Sequence, residues 1–297
     1  MEWLTAPFEV AFVQRALWGG ILVSAICALA GTWVVLRGMA FLGDAMSHGL
    51  LPGVALAALL GGNLMVGAVA SAAVMTAGVT ALGRARRLSR DTGIGLLFVG
   101  MLSLGVIIVS RSQSFAVDLT GFLFGDVLAV RGQDLALLGV ALLASLLVSF
   151  LGHRAFLALT FDARKAQTLG LRPRLAHAVL LGLLGLAIVA SFHIVGTLLV
   201  LGLLIAPPAA VLPWARSVLG VMAGAALLGA AATFGGLLLS WHLSTAAGAT
   251  VSALAVSLFF LSHLASGVRH RRTGRAADAT GPALVLEVDR RNSEALS

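Results

Sequence analysis

The sequence predicts an all-α, polytopic membrane protein with about eight or nine transmembrane helices, and three observations carry that expectation. Only 11% of the 297 residues are charged and 59% are hydrophobic, against roughly 25% charged in a soluble domain. Mean hydropathy is +1.03. Apolar runs of about 20 residues, the length that crosses a hydrocarbon core as a helix, recur along the chain. Short basic segments separate them. There are 35 Gly and no Tyr, and small residues let membrane helices pack closely.

The expected spans are 16–36, 45–61, 64–83, 92–110 and 135–152, followed by two longer stretches. Residues 175–215 are too long for one crossing and too short for three, so a hairpin turning near Ser191–His193 is expected. Residues 217–268 require a second hairpin, around Trp241–Ala247. Residues 1–267 thus form the membrane domain, and 268–297 are a polar tail whose composition predicts disorder. The N-terminus lacks a basic stretch before its first span, so that span is expected to be retained rather than cleaved as a signal peptide.

Arg and Lys decide the expected orientation. With nine crossings and a cytoplasmic C-terminus, 17 of the 20 basic residues fall on one side, and only Arg15, Arg111 and Arg131 lie outside. That bias follows the positive-inside rule. The net charge of +8 is therefore a topology signal, and no nucleic-acid partner is expected. The single Cys27 sits in an apolar run, which excludes a disulfide framework or a thiolate metal site. Segment 111–134 fits an amphipathic or re-entrant piece, because irregular backbone survives at membrane depth only under protein cover.

Two segments can carry function. Asp44 and His48 stand four residues apart, so on a helix they share one face and can hold one cation. Ionisable residues within membrane segments are costly and mark function by default; the alternative is that Asp44 caps a helix and His48 meets a polar neighbour. In the longest basic connection Asp162 is a plausible N-cap, Ala163–Leu169 a short helix and Gly170 its stop, with Pro173 beyond. That helix either rests on anionic membrane lipid or docks a cytoplasmic partner. The only lysine, Lys165, follows Arg164, so no phosphate-binding loop is present and ATP must be bound by another chain. No nucleophile–base constellation is visible, and no enzymatic activity is expected. Of the other histidines, His193 at the first hairpin's turn is the strongest ligand candidate, ahead of His153, His177, His242 and His263. Asp91 reads as a helix N-cap. Asp118, Asp126 and Asp134 read as solvated loop charges.

Five blocks in order resemble the metal-importing (zinc/manganese/iron) class of ABC transporter permeases. They are Val35–His48 with Leu51-Pro52-Gly53-Val54-Ala55; Asp91-Thr92-Gly93-Ile94-Gly95; Phe161-Asp162 with Ala166 and Leu169-Gly170-Leu171; Val195–Val200 with Ala206–Ala210; and Gly236–Leu243 with Gly248-Ala249-Thr250. The match spans roughly 15–262.

The resemblance implies a type II importer-like permease, paired as a homodimer in the bacterial plasma membrane. Each subunit would contact a cytoplasmic ABC ATPase through a coupling helix at 161–170, with Phe161, Asp162, Ala166 and Gly170 at the contact. A solute-binding protein would deliver Zn(II) or Mn(II), with Fe(II) as a further cargo, and no cofactor is implied. Asp44, His48 and His193 would belong to the translocation path. Two departures stand out: Ser244–Gly248 lacks the acidic residue and Pro often found there, and His193 replaces an amide, which tilts the cargo towards zinc. A permease for an iron chelate or cobalamin, or an ion-coupled carrier without an ATPase, are the competing functions.

Overall fold

The computed structural model describes residues 6–82, 89–111, 125, 129–161 and 172–269. These residues form helices and connections, with no strand among them. A single turn at Ala6–Glu9 leads into α1 (Ala11–Leu36), α2 (Ala40–Gly49), α3 (Leu51–Leu59), α4 (Leu64–Leu82), α5 (Arg90–Ser110), α6 (Gly132–Phe161), α7 (Pro173–Val211) and α8 (Val218–Leu243). A ninth helix, α9, runs Ala247–Arg269. Nine spans of these described residues are long and apolar enough to cross a membrane.

α1 and α7 form the centre. α7 packs on α1, α6, α4, α8 and α2. The most apolar windows of α5, α6 and α9 are only 17%, 22% and 11% buried, against 72% in α1, so the outer three present apolar faces to the surroundings. That is the arrangement expected where lipid, not water, is the solvent.

α7 is two arms, not one rod. The Arg37 Nη1 lies 3.2 Å from His177 Nδ1, and Gly31 packs against the Leu204 backbone. On a straight helix residues 177 and 204 would be about 40 Å apart, yet their partners on α1 are only about 9 Å apart. The chain must therefore reverse, giving α7a (173–195) and α7b (197–211) on either side of Gly196. The reversal falls at Gly196, with φ 74° and ψ 162°, a region open in practice to glycine alone. The turn expected at Ser191–His193 thus lies a few residues later, where the only residue able to adopt that backbone stands. Its surroundings are buried, with Ser191, Val195 and Thr197 all at 1% exposure or less, and Gly125 seats directly on Val195 and Gly196.

The second span also departs from expectation. It starts at Ala40 instead of residue 45, and it is interrupted at Leu50 between α2 and α3. Pro52 explains the interruption, since it has no N–H to donate to the His48 carbonyl. The early start follows from the end of α1: Gly38 adopts φ 62°, and Met39 N–H and Gly38 N–H return to the Val34 and Val35 carbonyls at 2.9 and 3.1 Å. This pattern closes a helix and lets a new one begin at once. Asp91 is not the N-cap of α5. That role belongs to Ser89, whose hydroxyl accepts from Thr92 N–H at 3.1 Å. Asp134 is not a loop charge either: it sits in the first turn of α6 and accepts from Arg131 N–H at 2.8 Å.

Helix pairing sorts the charges. α1 and α6 run side by side in one direction, with Gly19 against Leu135 and Trp33 against Phe156. α5 runs alongside α2 and α3, with Gly95 facing Phe41 and Gly105 facing Leu51. Arg37, Arg154, Arg172, Arg174, Arg216 and Arg269 therefore gather at one end of the bundle, and Arg15, Arg111 and Arg131 at the other. Most of segment 111–134, the expected coupling helix beyond Phe161 and the tail beyond Arg269 lie outside the described residues.

Candidate functional site

Asp44 and His48 sit one turn apart on α2. Counting from Ala40, they lie about 6 and 12 Å into a span about 30 Å long. His48 is thus near mid-span, deeper than a helix starting at residue 45 would have put it. The Asp44 Oδ1 and His48 Nε2 atoms are 3.5 Å apart, with side chains 39% and 28% exposed. Two donors about 2.1 Å from one ion at a tetrahedral angle are themselves about 3.4 Å apart. The pair is therefore spaced like two donors on one edge of such a coordination shell.

Packing holds the pair in place from behind. Leu42, Ala45, Met46 and Ser47 are all buried, so α2 turns one face into the bundle and offers Asp44 and His48 on the other. Gly43 packs on Leu201 and Leu204, and Met46 reaches Gly185; both arms of α7 therefore support α2. The Phe98 ring of α5 stands edge-on to His48, centroids 5.8 Å apart at 62°, and Phe41 meets Phe98 in the same manner at 6.1 Å. These rings fix the imidazole plane and shield one side from water. Phe98 has no sequence signal, being one more apolar residue in an apolar span.

Among the described residues no third donor joins the pair, and no cluster of three His, Cys, Asp or Glu is present. His193 is on α7a's last stretch, eight residues beyond Gly185, which places its backbone about 12 Å further along the arm than the Met46 contact. His153 packs on Trp33, His263 stacks on Phe259 and His177 pairs with Arg37. Of the coupling residues, Phe161 is the last helical residue of α6, and Asp162, Ala166 and Gly170 lie outside the described residues. A groove of about 670 Å³ between α4 and α7a is lined by residues such as Ala72, Thr76, Thr80 and Gly182. It holds no ionisable group and offers a cation no charged ligand.

Residues 9–266 match the profile of the ABC 3 transport family. The chain belongs to that family. A probable iron transport system membrane protein of Haemophilus influenzae is 35% identical over 270 residues, covering 91% of this chain and 99% of its own length. The manganese import system permease protein ScaB of Streptococcus parasanguinis is 35% identical over 276 residues, covering 93% and 98%. Among solved structures, PsaBC from Streptococcus pneumoniae in complex with Fab superposes with a TM-score of 0.78 at 31% identity, over 88% of this chain and 94% of that one. This ABC 3 family member is a multi-pass membrane protein, the permease subunit of an ABC transporter.

Proposed function

We propose that this permease passes a divalent transition-metal ion across the bacterial plasma membrane, with ATP hydrolysed by a separate subunit. The carrying observation is the Asp44–His48 pair, 3.5 Å apart on one span with His48 near its middle. One carboxylate and one imidazole, with no thiolate, suit Mn(II) and Fe(II) as well as Zn(II). The relatives named for manganese and iron transport weigh towards those two metals ahead of zinc. Two donors per subunit bind weakly enough for an ion to leave, and a second copy of the chain would complete the shell. The basic end would face the cytoplasm by the positive-inside rule, together with the C-terminus. A solute-binding protein would then deliver the ion to the opposite face.

Proteoliposomes holding the complete transporter test the cargo. ATP-dependent Mn(II) uptake is expected, with Fe(II) and Zn(II) competing. Uptake of an iron chelate or cobalamin that free metal does not inhibit would overturn the reading in favour of a chelate permease.

Residues 161–170 are proposed as the ATPase contact, supported by their position in the chain between α6 and α7, whose adjoining ends lie at the basic end of the bundle. Asp162→Pro, or deletion of 163–169, is expected to reduce ATPase co-purification and uptake by at least about tenfold. Unchanged co-purification would remove the docking role.

A further inference from the structure

We propose that Arg37 and His177 form a positioning contact that ties the helix carrying Asp44 and His48 to the start of α7a. The proposal rests on the reading of 161–170 as the ATPase contact, because α7a is the first helix after that segment.

The contact joins residues 140 apart in sequence, is partly buried, and brings Arg37 Nη1 within 3.2 Å of His177 Nδ1. A guanidinium can only donate, so Nδ1 accepts and the imidazole proton resides on Nε2. Arg37 is the C-cap of α1, and α2 begins three residues later, across the left-handed Gly38. A shift of Arg37 is therefore passed through a tight turn to Ala40, the first residue of α2, one helical turn before Asp44. α7a meets α2 a second time where Gly185 lies against Met46, a buried residue between Asp44 and His48. Two attachments eight residues apart make α7a a lever against α2. The Gly185–Met46 contact is apolar packing, whereas the Arg37–His177 contact is directional and can break and reform. Such a contact can bias a two-state element, which is what coupling between sites requires.

The test uses the full complex of permease, ATPase and solute-binding protein in proteoliposomes, reading Mn(II) uptake per ATP hydrolysed. Arg37→Gln and His177→Leu are each expected to lower that ratio about tenfold, in the usual range of coupling effects. Assembly and basal ATPase activity stay unchanged. The double variant should be no worse than either single one, as for two halves of one interaction. His177→Asn, whose amide oxygen takes the place of Nδ1, should retain most of the coupling. Additive losses, an unchanged ratio, or His177→Asn failing as badly as His177→Leu would overturn the proposal. Should the Arg37 variant not assemble, the comparison of His177→Asn with His177→Leu decides alone. Failure of the ATPase-contact reading would show separately, as intact co-purification after deletion of 163–169.

Discussion

Asp44→Ala and His48→Ala are each expected to cut metal uptake by at least about 100-fold, while the transporter still assembles. The site presents two donors, so either substitution leaves a single ligand. Changing residues that merely support metal ligands already costs about 10- to 100-fold, and losing half of a subunit's donors costs no less. Folding should be spared. The pair is 39% and 28% exposed, and a partly solvated polar contact of this kind contributes about 0–1 kcal/mol. Asp44→Asn separates charge from shape: it keeps the side-chain size but removes the anionic donor, and should transport as poorly as Asp44→Ala. Metal uptake together with thermal unfolding of the purified complex checks the expectation. Wild-type uptake by either alanine variant would sink the site assignment, and a large loss of thermal stability would point to a structural role.

A second large effect is expected at Gly31 on α1. A side chain there would meet the backbone carbonyl of Leu204 on α7b, and a backbone atom cannot swing aside as a side chain can. Small residues at such crossings are what allow membrane helices to touch. Gly31→Ala should destabilise the permease by about 1–3 kcal/mol, the usual cost of overpacking, and Gly31→Leu should prevent its accumulation as a monodisperse species. Gly182→Ala is the control, since a Cβ there meets nothing within 4 Å and alanine favours a helix over glycine by about 1 kcal/mol. Size-exclusion profiles and thermal melts of the variants distinguish the cases. Equal behaviour of Gly31→Leu and Gly182→Ala would contradict the packing described here.

Composition and charge spacing were sufficient for the class of molecule because hydropathy acts locally. A run of apolar residues must cross or be covered, whatever the rest of the chain does. Eight of the nine expected spans therefore needed only changes at their ends. The exception was 45–61. Its true start at Ala40 depends on the closing turn at Gly38, and its interruption on the missing N–H of Pro52. The misplaced N-cap at α5 has a local cause: Ser89 and Asp91 are both good caps, and the hydroxyl two residues earlier took the role.

The sequence by itself determined that this is a multi-span helical protein with its basic residues segregated to one side. It also determined that a carboxylate and an imidazole share one helical face. These follow from the solvent and from a 3.6-residue period, and need no knowledge of distant contacts. Only the tertiary structure decided the rest. It set the depth of His48, its flanking by Phe98, the reversal at Gly196 and the meeting of Arg37 with His177. Each depends on groups far apart in the chain, and on where one helix can approach another closely enough to touch.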